Sequence, residues 1–206
     1  MKTVKLILIV PVLLLLSFRA PAPGITSAER KAALGYLETT QADFLKSIKS
    51  LTAEQLSFKA TPESWSIAEC AEHIAITETN LFGMMQGTLK EAANPAKRSE
   101  VKLTDEQIFA AISDRSFKVK TQEPNEPTKK FGSHEATVKE FLAKRKSNMD
   151  YVKTTTDDLR NHFFTFPVEA FGTADSYQLI LFMAGHSKRH TLQIEEVKTN
   201  EYFPKK

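Results

Sequence analysis

Helix-start signals followed by apolar residues at helical spacing recur along this chain. Thr26 and Glu29 have the spacing of a capping box, in which each side chain binds a backbone N–H at the start of a helix. Ser66 and Glu69 repeat this spacing. Behind each pair, apolar residues recur at steps of three and four, which is the period of one helix face. Because an amphipathic helix must bury its apolar face, the pattern predicts helices that pack against one another.

Four of these segments are long enough to be the main helices of a domain. The first begins after Thr26, and the second begins after Ser66 and runs to about Lys90. The third is capped by Ser133 and ends near Thr155. The fourth carries one continuous stripe that consists of Leu179, Met183, His186, His190, Gln193 and Val197. Since no segment alternates as a strand does, we predict an all-α, antiparallel four-helix bundle.

The segments between these helices are polar and contain most of the prolines. Residues 91–132 form a long connection between the second and third helices, interrupted by a modest amphipathic piece from Thr104 to about Phe117. A loop that contains Pro167 and Gly172 precedes the last helix. We therefore expect an elaborated connection between helices two and three.

The first 24 residues have the pattern of a secretory signal peptide. Lys2 and Lys5 precede an unbroken apolar run from Leu6 to Leu16, and small residues follow. This run is far shorter than the roughly 20 residues that a membrane-spanning helix needs. We expect residues 1–24 to be a leader and residues 25–206 to be the domain. The protein is then exported, to the periplasm or the extracellular space, and has no stable membrane insertion once the leader is removed.

The charge of the chain excludes one class of partner. The formal charge of +3 comes from three basic residues of the leader, Lys2, Lys5 and Arg19, and residues 25–206 carry 25 basic and 25 acidic side chains. Nucleic-acid binding usually requires a basic surface, so we expect no nucleic-acid partner. Cys70 is the only cysteine, and an intramolecular disulfide is therefore impossible.

The last predicted helix carries the residues that are most informative about function. His186 and His190 are four residues apart and therefore lie side by side on one helix face. They are in register with Leu179 and Met183, which places them toward the core. A shared divalent cation would satisfy both imidazoles. The alternative is two core histidines that each hydrogen-bond to a separate polar partner.

A third histidine favours the metal site. His73 lies on the second helix, at the edge of its apolar stripe, and two ligands from one helix with one from another form a three-nitrogen site. The spacing of His186 and His190 also occurs in metalloproteases. Their glutamate after the first histidine is replaced here by Ser187, so a protease would lack its general base.

Two segments resemble the motifs of one known family. Residues 65–73, WSIAECAEH, resemble the W-S-x-x-E-x-x-x-H segment of DinB-like proteins, which are related to the YfiT-like metal-dependent hydrolases. Residues 186–193, HSKRHTLQ, resemble the closing H-x-x-R-H-x-x-Q of that family. The resemblance implies a four-helix bundle that often dimerises. It also implies a divalent metal, zinc or nickel, bound by His73, His186 and His190.

The function that the resemblance implies is a metal-dependent hydrolase, or a transferase that uses a small thiol, acting on an unknown small molecule. A non-catalytic module of the cell envelope that binds metal, or a ligand through metal, is the alternative. No carboxylate is identified as a general base, because Glu69 is already engaged in capping, and the catalytic residues stay unassigned. The leader and residues 91–132 distinguish this chain from the short cytoplasmic members of the family. Because of these differences, the resemblance does not identify the substrate.

Four further residues were assigned from their positions on the predicted helices. Cys70 is expected to pack in the core as a small hydrophobe. Gln193, three residues after His190, either orients a metal ligand or closes the core near the helix end. We expect Arg145 to lay its aliphatic stem on the core with its guanidinium exposed. Trp65 is expected to fix the start of the second helix.

Overall fold

The structure, a computed structural model, describes residues 24–205. Its helices are α1 (Ser27–Ile48), α2 (Ala53–Ser57), α3 (Ile67–Thr88), α4 (Asp105–Ser113), α5 (His134–Thr154) and α6 (Ser176–Lys198). Strands β1 (Phe163–Thr165) and β2 (Thr173–Asp175) form an antiparallel pair. Three 3-10 turns span Pro95–Glu100, Glu123–Asn125 and Glu169–Phe171. The long helices α1, α3, α5 and α6 form the predicted four-helix bundle, so the all-α fold class is confirmed. The proposed leader, residues 1–24, lies outside the described part of the chain except for Gly24.

The helix starts are fixed by the capping pairs that the sequence predicts. The Thr26 hydroxyl accepts from the backbone N–H of Glu29, and the Ser66 hydroxyl accepts from that of Glu69. In both pairs the glutamate side chain binds the cap residue in return. Asp175 and Gln178 form a similar pair at the start of α6. These contacts satisfy backbone N–H groups that a helix start otherwise leaves without partners.

Helix α6 lies at the centre of the fold. It packs against α1, α3 and α4, and most of its side chains are buried. The approach of α4 requires Gly185, because a Cβ there would lie 2.3 Å from Cγ2 of Ile112 and 2.9 Å from the carbonyl oxygen of Phe109. No helix within residues 24–205 is both long enough and apolar enough to cross a membrane.

The loop before α6 contains the small strand pair, which was not predicted from the sequence. Phe163 pairs with Asp175 and Thr165 pairs with Thr173. Strands of three residues are too short to show an alternating pattern, so the loop prediction for this segment was wrong. Gly172 has φ of 57° and makes the turn before β2.

The expectation that the Arg145 guanidinium is exposed was also wrong. Arg145 on α5 is 0% exposed, and its guanidinium donates to both carboxylate oxygens of Glu78 on α3, at 2.7 and 2.8 Å. It also donates to the Leu37 carbonyl oxygen of α1 and to the Ser187 hydroxyl of α6. Each of the other three bundle helices therefore supplies a partner to Arg145. A planar guanidinium with five N–H donors is suited to such a buried junction.

Candidate metal centre

Helices α3 and α6 bring the three predicted histidines together. His73 lies near His190, and Thr77, one turn later on α3, lies near His186, one turn earlier on α6. The numbers rise on one helix as they fall on the other, so the two helices are antiparallel. In this register, the turn of α3 that carries His73 lies beside the two turns of α6 that carry His186 and His190.

The imidazole nitrogens of the three residues converge. One nitrogen from each ring lies within 4.8 Å of the other two, and the Nε2 atoms of His73 and His186 are 3.3 Å apart. The ring centroids of His73 and His190 are 4.3 Å apart, and those of His186 and His190 are 4.5 Å apart. A tetrahedral zinc ion with bonds of about 2.0–2.1 Å separates two nitrogen ligands by roughly 3.3 Å. The donor set and its spacing fit one divalent ion.

Hydrogen bonds at the other ring nitrogen orient two of the histidines. Nδ1–H of His73 donates to the backbone oxygen of Asn125, at 2.6 Å. Nδ1–H of His190 donates to Oε1 of Gln193, at 2.9 Å. Because each proton resides on Nδ1, the Nε2 atom of each ring keeps its lone pair for a ligand bond. Of the two roles that the sequence left open for Gln193, the structure supports orientation of His190.

Thr77 makes the equivalent contact with the third histidine. Its hydroxyl hydrogen is donated to the backbone oxygen of His73, at 2.7 Å. The Thr77 hydroxyl oxygen lies 3.3 Å from Nδ1 of His186 and, with its own hydrogen donated to His73, accepts a hydrogen bond from Nδ1–H of His186. With each Nδ1 engaged, Nε2 is the nitrogen that each ring has left for a ligand bond, and one nitrogen of each ring lies within 4.8 Å of those of the other two.

Burial keeps the three rings neutral. It lowers the pKa of His73 to about 4 and lowers the pKa of His186 and of His190 well below the ordinary value for histidine. Repulsion between the neighbouring rings lowers the last two further. At neutral pH each ring is therefore neutral and has one nitrogen without a proton, as a metal ligand must have.

Trp65 covers one side of the cluster. Its ring centroid lies 4.7 Å from that of His73 and 5.9 Å from that of His190. The side chain therefore packs directly against two candidate ligands, a role beyond the helix-start contact expected from the sequence. A large indole at this point limits the access of water and restricts the ring orientations.

Two other groups near His73 are engaged elsewhere. The Glu72 carboxylate accepts from the backbone N–H groups of Thr128, Lys129 and Lys130 and holds this part of the long connection against α3. Cys70 is fully buried, as expected, and burial raises the pKa of its thiol to about 12. The thiol therefore stays protonated and packs in the core.

The histidine cluster opens into a large cavity between α3, α6, the long connection and the strand pair. The cavity volume is about 1160 Å³. Trp65, Gln193 and Arg115 lie on its walls together with the three histidines. Arg115 is held by a two-point ion pair with Glu196, at 2.7 and 3.0 Å. Solvent or a small molecule therefore has access to the point on which the three Nε2 atoms converge.

Sequence reasoning identified the three histidines but missed two of the groups that orient them. Thr77 is visible only as a member of the apolar stripe of α3, and Asn125 acts through its backbone oxygen. The side-chain amide of Asn80 donates to Oδ1 of Asn125, at 2.7 Å, and anchors that part of the connection. A backbone acceptor contributed by a long irregular segment leaves no signature in residue type.

Comparison with known proteins agrees with the fold. The chain is 26% identical over 151 residues to the uncharacterized protein YuaE of Bacillus subtilis, covering 73% of this chain and 88% of YuaE. Its fold resembles that of YfiT from Bacillus subtilis, with a TM-score of 0.56 and 14% identity over 87% of this chain and 91% of YfiT. YfiT is described as a probable metal-dependent hydrolase with an unusual four-helix bundle topology. Residues 36–194 match the model of the DinB superfamily, and the chain therefore belongs to that superfamily.

Proposed function

We propose that this protein binds one divalent metal ion through His73, His186 and His190 and uses it in a hydrolase or transferase reaction on a small molecule. The observation that carries the proposal is the shared orientation of the three rings. Each Nδ1 lies at hydrogen-bond distance from a protein oxygen, which leaves Nε2 for a metal, and one nitrogen of each ring lies within 4.8 Å of those of the other two. Independent core histidines would have no reason to share that orientation.

The ion would supply Lewis acidity and would activate water at neutral pH. The residues of this chain orient the metal ligands, exclude water from one side and place charge on the cavity wall. Asn125, Thr77 and Gln193 hold the ligand rings in place, and Trp65 excludes water from one side. Arg115, fixed by Glu196, places positive charge on the cavity wall, where it is suited to an anionic group of a substrate.

Membership of the DinB superfamily and the likeness to YfiT support this proposal. The test is a panel of esters, amides and thiol conjugates incubated with metal-free, zinc-loaded and nickel-loaded protein. We expect turnover of at least one class with metal, and loss of that turnover in a His186→Ala variant. Turnover that persists unchanged in metal-free protein would contradict the proposal.

One observation favours a non-catalytic binding module as the second candidate. Glu72, the carboxylate adjacent to His73, is saturated by three backbone N–H groups, and Glu196 on the cavity wall is paired with Arg115. Neither carboxylate is free to act as a general base. If metal-loaded protein binds small anions or thiols but converts none of the panel, the binding module is the better description.

Location and assembly complete the proposal. The basic and apolar pattern of residues 1–24 supports export. Imidazole ligands suit both zinc and nickel, so either metal is a candidate. A fusion of residues 1–24 to a reporter that works only after export should be active, and an inactive fusion would contradict export. The family resemblance supports a homodimer, which sedimentation of the purified domain would detect.

A further inference from the structure

The cavity at the histidines has a second half with a different chemistry. Beyond Thr77 and His186, several large apolar side chains lie on its walls. This apolar half is lined by Leu81, Met84, Phe164, Phe166, Phe171 and Phe182. The histidine half and the apolar half belong to the same cavity, whose volume of about 1160 Å³ exceeds what a metal ion and a few waters would fill.

The register of α3 and α6 places the apolar half directly beside the candidate ligands. Leu81 lies four residues after Thr77 on α3, and Phe182 lies four residues before His186 on α6. One helical turn rises about 5.4 Å, so the apolar walls begin one turn from the point where the Nε2 atoms converge. A molecule that reaches the histidines with one end therefore reaches Leu81 and Phe182 with its next few atoms.

The aromatic walls are held in place by contacts among themselves. The rings of Phe166 and Phe182 are stacked with centroids 4.6 Å apart, and Phe171 meets Phe182 edge-on at 5.2 Å. Phe166 belongs to the turn between β1 and β2, so the strand pair closes this half of the cavity. Fixed rings keep apolar surface facing the cavity. An apolar ligand group that covers this surface lowers the free energy of the complex, because apolar surface is removed from water.

We propose that the ligand of this protein carries an extended apolar group, an alkyl chain or an aromatic ring, that lies in the apolar half while its polar end meets the histidines. The inference rests on the proposed metal site and names the substrate class that the same cavity takes. It excludes small, wholly polar substrates as the preferred ligands, because these would leave the walls formed by Leu81, Met84 and Phe182 uncovered.

Two glycines of α3 offer a matched pair of variants. A Cβ added at Gly83 or at Gly87 would meet no atom within 4 Å, so both helical positions accept a side chain. Gly83 lines the cavity, and Gly87, one turn later, does not. Gly83→Leu should therefore reduce the cavity volume next to Met84, its neighbour in the chain, while Gly87→Leu makes the same substitution outside the cavity.

The probes are acetohydroxamate and octanohydroxamate, which share a metal-binding head and differ in their apolar tail. Titration calorimetry on the zinc-loaded wild type should show octanohydroxamate binding roughly a hundredfold more tightly, because its tail leaves water. Gly83→Leu should remove most of that preference without changing acetohydroxamate binding, and Gly87→Leu should retain it. Equal affinity of the two probes for the wild type would overturn the inference, as would equal effects of the two variants.

Failure of the metal site itself is detected separately, by titrating zinc without a hydroxamate. If zinc does not bind, octanoate and acetate are compared on the metal-free protein and its two variants, and the same tail preference and the same loss in Gly83→Leu are expected.

Sedimentation of the same samples tests whether a second copy of the chain covers the apolar half. A dimer that dissociates in Gly83→Leu, with no tail preference in the wild type, would overturn the inference.

Discussion

Arg145 and Glu78 form an ion pair in which both side chains are 0% exposed, between the middles of α5 and α3. Removal of one member leaves the other charge buried without its partner, which typically costs about 3–5 kcal/mol. We expect Arg145→Ala to lower the free energy of unfolding by about that amount in urea titrations. Lys146→Ala, at the exposed neighbouring position, is the control and should leave stability unchanged. A stable Arg145→Ala variant would contradict the role of this junction.

The contact between α4 and α6 depends on the absence of a side chain at Gly185. A methyl group there would meet Cγ2 of Ile112 and the backbone of Phe109. We expect Gly185→Ala to cost about 1–3 kcal/mol through overpacking, as measured by thermal unfolding. Gly35→Ala is the matched control, because Gly35 lies in α1 with open space around it and alanine favours a helix. If both variants gained stability, the close approach of α4 would be wrong.

The contact from Gln193 to His190 should set metal affinity. Loss of a group that orients a ligand typically weakens metal binding about 10- to 100-fold. We expect Gln193→Ala to raise the zinc dissociation constant by that factor in a competition assay with a chromophoric chelator. Gln193→Glu keeps an acceptor oxygen and should retain most of the affinity. Leu192→Ala, at the exposed adjacent position, should bind zinc as the wild type does. Equal affinity in Gln193→Ala would show that the contact orients nothing.

Glu72 connects the long connection to the ligand helix. Its carboxylate holds the backbone of residues 128–130, and the same connection supplies the Asn125 oxygen that binds His73. We expect Glu72→Ala to loosen this segment, so that trypsin cleaves after Lys129 or Lys130 faster than in the wild type. Glu140→Ala, at a half-exposed acidic position on α5, is the control. An unchanged cleavage rate at these lysines would contradict the anchoring role.

The parts of the molecule that were predictable from sequence are those encoded by local residue patterns. Capping pairs such as Ser66 and Glu69 fix helix starts through contacts three residues apart, and the spacing of His186 and His190 is a property of any helix. The environment of Arg145 was not predictable, since its partners come from three other helices. The Asn125 contact was not predictable either, because a backbone oxygen is positioned by the tertiary fold and has no residue-type signal.

The central claim is that three histidines from two helices form one metal site. The most direct measurement is the zinc content of reconstituted, desalted protein by elemental analysis, compared among the wild type and alanine variants. We predict about one zinc per chain in the wild type and none above background in His73→Ala, His186→Ala or His190→Ala. A three-imidazole site loses its geometry when any one of its ligands is removed. His162→Ala should keep its zinc, since that ring contacts the Thr88 backbone instead. A His73→Ala variant that retains wild-type zinc content, or a wild type that binds none, would contradict the account.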